Sequence, residues 1–174
     1  MKKLITALSI LCASLALQAA YSDYYLMFSV CTPGQIPIAK SSIDGFRLHL
    51  IYGDVQNLNG FDFGFGCGRV REHMNGLQIG GGNVVGTGVA GAQIGLVNLA
   101  DGDMAGVQLS LWNDVRANGD GLQLGICNTA GDFGGLQVGL VNWANSMTGA
   151  QIGLLNFIDD DRFLYVFPFV NGRF

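Results

Sequence analysis

The chain has 174 residues, a formal net charge of −4 and an uneven composition: 49% apolar, only 13% charged, and 27 Gly. Charged residues make up about a quarter of an ordinary globular protein, so either the fold is thin and glycine-rich or part of its outside does not face water. An acidic chain is poorly matched to a phosphate backbone, which argues against nucleic acid as a partner.

Lys2 and Lys3 precede an apolar run from Leu4 to Leu17, and small residues follow at Ala19 and Ala20. This is the pattern of a secretory signal over residues 1–20, cut near Ala19 or Ala20. Lipidation at Cys12 is disfavoured because Leu11 stands where a small residue is needed, and the run is short for a membrane span. Without the signal, seven basic residues face thirteen acidic ones, a net −6. Three cysteines remain, Cys31, Cys67 and Cys127, an odd number that excludes a complete disulfide framework. A Cys31–Cys67 bridge is geometrically open; small buried thiols are the preferred reading.

Residues 21–44, Tyr-rich and containing Pro33 and Pro37, read as an N-terminal cap. A repeat domain then spans 45–158. Its phrase is Gly, apolar, Gln, aliphatic, Gly or Ser, apolar, any residue, Asn, and it occurs six times. The Gln are Gln78, Gln93, Gln108, Gln123, Gln137 and Gln151; the Asn are Asn83, Asn98, Asn113, Asn128, Asn142 and Asn156. Two earlier units begin at Gly45 and Gly60, with Arg47 and Asp62 in place of Gln and Tyr52 and Cys67 in place of Asn. A period of 14–15 residues marks one small unit stacked or paired on itself. Within each unit the alternation has period two, as in a strand. Each unit reads as strand, Asn corner, short apolar step, turn and Gly corner.

Two folds accept this pattern. In a parallel β-solenoid of about eight coils, the Asn and Gln are structural ladders, each amide bonding its copy in the next coil. An antiparallel outer-membrane β-barrel of about ten strands is the alternative, suited by strand length, low charge and the terminal Phe174. Short and long loops should alternate in a barrel, and here no odd–even difference appears, so the solenoid is preferred. Residues 159–174, with Phe163 to Val170, read as a C-terminal capping strand. Pro168 suits an edge because it cannot donate to a ladder.

The ordered set Val30-Cys-Thr-Pro-Gly-Gln-Ile-Pro37, Gly45-Phe-Arg-Leu-His-Leu-Ile-Tyr-Gly53, the Gly-Leu-Gln-Ile-Gly-Leu-Val-Asn units and Phe-Pro-Phe-Val-Asn near the end resembles bacterial surface-repeat proteins with GLQIGLVN-like repeats. The resemblance covers residues 25–174. It implies an exported protein of the outer membrane or cell surface in a Gram-negative-type envelope, and it brings no catalytic residues.

Chemistry is sparse. Gly86, Gly88 and Gly91 spell the dinucleotide fingerprint, but no helix follows and no βαβ unit surrounds them. His49 and His73 lack zinc-site spacing, and no nucleophile motif accompanies them. Asp101, Asp103, Asp120 and Asp132 recur between Asn and Gly. They could present carboxylates to calcium, but turn chemistry explains them more simply. The Gln row could offer a flat polar face to a glycan or protein, although such a face makes a poor pocket. The expectation is a secreted or envelope-associated structural or binding protein, not an enzyme, without cofactor or metal. Its partner is an unidentified envelope or surface component, and membrane association stays open; the alternative is a barrel acting as anchor or pore.

Overall fold

A computed structural model of the chain describes residues 23–31, 34–36, 41–160 and 166–174. The signal-like segment, Pro33, Pro37, Asp161 and Arg162 lie outside the described residues. Those described form strands and no helix. In order they are β1 (Asp23–Cys31), β2 (Gly34–Ile36), β3 (Ser42–His49), β4 (Tyr52–Val55), β5 (Leu58–Gly64), β6 (Cys67–Val70), β7 (His73–Ile79) and β8 (Gly82–Val85). There follow β9 (Gly88–Ile94), β10 (Val97–Ala100), β11 (Asp103–Leu109), β12 (Trp112–Leu124), β13 (Cys127–Val138), β14 (Val141–Ile158) and β15 (Val166–Arg173).

The chain is a parallel β-solenoid of about eight coils. Each coil contributes one strand to each of two faces. On the first face, β1, β3, β5, β7, β9 and β11 pair in parallel and in chain order, and the second half of β12 continues the row. On the second face, β4, β6, β8 and β10 do the same and meet the first half of β12. From β12 onward the strands run through the turn, so β12, β13 and β14 each serve both faces. Parallel pairing of every repeat strand excludes the antiparallel barrel: a barrel needs neighbouring strands to reverse, and here each returns by way of the opposite face.

The register is strict. Gly45, Gly60, Gly76, Gly91, Gly106, Gly121, Gly135 and Gly149 lie side by side. The repeat Gly does not form a corner, as the sequence suggested; it sits inside the first-face strand with φ between +127° and +156°. That backbone is costly for any residue with a Cβ. At Gly106, moreover, a Cβ would run into the carbonyl oxygen of Gly91 in the coil below. The Asn is likewise not the corner but the second residue of the second-face strand, as Asn98 is in β10. The bend precedes it, at Gly95 and Leu96. In the first two units the Asn row continues as Gly53 and Gly68, not Tyr52 and Cys67, because one extra residue lengthens the bend there.

The N-terminal segment is more than a cap. β1 is a further rung, parallel to β3, and β2 folds back antiparallel on β1. The Gln35 side chain then mimics a strand neighbour for β4, donating to the Asp54 carbonyl at 2.6 Å and accepting from its N–H at 3.2 Å. At the other end β15 closes the first face antiparallel to β14, with Pro168 on this final strand.

Candidate functional site

The interior of each coil has two unlike halves. Near the turn that leads to the next coil, the core is apolar: Met104 and Val115 in one coil, Val89 and Ala100 in the coil before, all buried. Where Gly119 leaves a gap in this row, the Phe133 ring of the next coil fills it. Near the other bend the interior is polar. Gln78, Gln93, Gln108, Gln123, Gln137 and Gln151 turn inward and are fully buried, as are Asn83, Asn98, Asn113, Asn128, Asn142 and Asn156.

Burying amides is unfavourable unless their donors and acceptors are bonded. Stacking supplies partners of the right shape. Each Gln Nε2 donates to the Oε1 of the Gln one coil earlier, from Gln151 back to Gln78, at 2.6–3.1 Å. Each Asn Nδ2 donates the other way, to the Oδ1 of the Asn one coil later, from Asn83 to Asn156, at 2.7–3.0 Å. The Asn amides also hold backbone carbonyls, as Asn113 does with Leu124 at 2.9 Å. The bend beside them must be small: a Cβ at Gly95 would meet the Asn83 amide. Where Ser110 stands instead, its hydroxyl donates to Asn113 at 2.8 Å.

Sequence reasoning took Arg47 and Asp62 only as departures from the repeat. They are the terminus of the Gln ladder. Gln78 donates to Asp62 at 3.0 Å, and the Arg47 guanidinium grips the same carboxylate with two bonds, Nε at 2.7 Å and an Nη alongside. All three are fully buried. Burial pushes the Asp62 carboxyl up, but the Arg47 bonds, the His49 ring and the adjoining charges outweigh it, so the group sits below the ordinary carboxylate range. His49 is buried under Gly53, Gly64 and Gly68; its Nε2 lies 3.5 Å from Asp62, too far to count as a hydrogen bond. Opposite charges in phase, one repeat apart, were the signal that could have exposed this pair.

The outside reverses the usual arrangement. With Gln and Asn turned in, their aliphatic neighbours turn out. One column runs Leu26, Phe46, Phe61, Leu77, Ala92 and Val107, then Leu122, Leu136 and Ala150. A second, two residues on, runs from Phe28 through Ile94 and Leu109 to Ile152 and Val170. At the bend, Leu96, Leu111, Ile126, Leu140 and Leu154 form a crest, each at least 50% exposed. Neither column contains a polar side chain over ten rungs. At strand spacing that is about 43 Å of length, and with the bend a face on the order of 700 Å². Monomers rarely expose a contiguous apolar patch of more than a few hundred Å². Covering this one would contribute on the order of 15 kcal/mol. Its margin carries Trp143 stacked on Phe157, centroids 5.2 Å apart.

The opposite edge is polar. Asp101 pairs with Arg116 at 2.6 Å, and Asp103 accepts from the Asn118 amide at 2.9 Å. Asp120 and Asp132 stand in different columns, so the acidic turns do not converge. Among the described residues no three metal-ligating side chains gather. His73 is exposed there, beside a shallow open depression of about 420 Å³ floored by Gly88 and Ala90. Gly86, Gly88 and Gly91 lie at a turn and in β9, with no helix after them. Cys31, Cys67 and Cys127 are not joined by a disulfide, and they are not the buried thiols expected: Cys31 and Cys67 are exposed and Cys127 is half-buried. No model of a known family, no curated protein and no solved structure matches the chain.

Proposed function

We propose that the protein is an exported, envelope-associated repeat protein that works without catalysis, as a structural or binding element presenting its apolar face. The observation that carries this reading is the inverted coil. Amides occupy the inside of one half, and an uncharged apolar surface lies outside it along the whole stack. Such an arrangement suits display of a long uniform surface. The signal-like residues 1–20 and the resemblance to GLQIGLVN-type surface-repeat proteins support the location.

Fractionation of the producing cells tests it, with N-terminal sequencing of the recovered protein. The expected result is recovery from the envelope with a new N-terminus near residue 20. Recovery from the cytoplasm with Met1 or Lys2 still in place would overturn the proposal.

A further inference from the structure

We infer that the occupant of the apolar face is lipid hydrocarbon, and that the solenoid lies along a membrane surface with its crest inserted. This deepens the binding role proposed above and rests on that reading for which membrane is met. Three features single out lipid.

The first is the lack of any hydrogen-bonding handle. Backbone groups of the face are consumed by the ladder between coils, the Gln and Asn amides point inward, and both outer columns are apolar in every rung. Protein interfaces carry about one hydrogen bond per 100–200 Å², whereas hydrocarbon needs none.

The second is shape and area. The face folds around a bend and is convex, with Leu96, Leu111 and Ile126 at its crest. The whole face is on the order of 700 Å² and folds around the bend, so a second copy would cover only part of it and fall short of the roughly 800 Å² per partner of a stable complex. A fluid chain region closes around a ridge without needing a matching shape.

The third is the placement of charge and aromatic rings. Asp101, Asp103 and Arg116 lie on the opposite edge, where water and headgroups are met. Trp143 stands at the margin, stacked on Phe157, the depth that an amphipathic indole favours. The protein is acidic, so attachment comes from apolar burial and not from anionic headgroups.

The test uses the purified protein, in the processed form the cells make, with vesicles of phosphatidylcholine alone. Trp112 and Trp143 are the two tryptophans of the chain and report directly. The expected result is flotation with the vesicles at low and at high salt, a blue shift of tryptophan emission, and quenching by lipids brominated on their acyl chains. Leu111→Glu combined with Ile126→Glu alters exposed side chains only, so the circular dichroism spectrum and melting should persist while binding falls about tenfold or more. Asp103→Ala, on the polar edge, should bind like the parent. A protein that ignores vesicles and sediments as a dimer, which the double variant dissociates, would replace lipid by a second copy. A monomer that ignores vesicles would overturn the inference outright. Neither result touches the envelope reading, which fractionation decides. Conversely, a cytoplasmic protein that still binds vesicles would overturn that reading and keep this one.

Discussion

Gln108 and Asn113 are five residues apart and both fully buried, yet their amides donate in opposite directions along the stack. The two rows of side-chain dipoles therefore oppose one another along the axis. Each row leaves one acceptor over at its end, Gln151 Oε1 and Asn83 Oδ1. Asn113→Ala would strip partners from Asn98, Asn128 and the Leu124 carbonyl together. A loss on the order of 1–3 kcal/mol in urea denaturation is expected, against little change for Leu111→Ala on the neighbouring crest; similar losses for both would contradict the ladder. Asp62 ties stability to pH. Its folded carboxyl titrates below the ordinary range, so its contribution is complete above about pH 4 and is lost as pH falls through the lower folded value. Asp62→Asn leaves the Arg47 guanidinium buried without its counter-charge, at a cost of about 3–5 kcal/mol at neutral pH. The variant should also lose less stability than the parent between pH 5 and pH 2, and equal acid slopes in the two proteins would refute the assignment.

At the level of strands, the period-two alternation and the 14–15-residue spacing were enough to read strands, coils and their parallel order. The side of the strand that faces inward was not legible from Leu77, Gln78 and Ile79 alone, because apolar residues are usually the buried ones. Comparing units shows the difference. The position after the repeat Gly accepts Leu77, Ala92, Val107 and Ala150, sizes that only an open side tolerates, while the next position keeps its amide in six units running. A residue held by copies of itself cannot drift. The bend was misplaced by a few residues because Gly and Asn both signal turns, whereas here the Gly serves close backbone approach and the Asn fills the interior. The Arg47–Asp62 pair was missed for a related reason: its meaning appears only once the coils are stacked. β15 invites a test at this scale. It covers the β14 edge, and the Phe167 carbonyl accepts from Asn156 at 3.0 Å. Ending the chain after Asp160 would bare a long parallel edge. Concentration-dependent association in light scattering is expected; a monomer of unchanged stability would show that β15 is dispensable.

For the molecule as a whole, the amide half of the core and the apolar half of the surface are two sides of one choice. Turning Gln and Asn inward frees the aliphatic residues to face outward, and every coil repeats the choice. The apolar residues left for the core, such as Met104 and Val115, form a narrow strip, so cohesion is shared between that strip and the hydrogen-bonded rows. Because the coil at Gly106 and the coil at Gly121 bond their neighbours through the same atoms, a tandem duplication or in-frame loss of one unit in the gene would leave the remaining bonds as they were. Each such event would lengthen or shorten the outer ridge by one rung, about 4.8 Å. The reach of the protein is thus a quantity that replication slippage can adjust in fixed steps, and related genes differing only in repeat number would encode the same surface in different lengths.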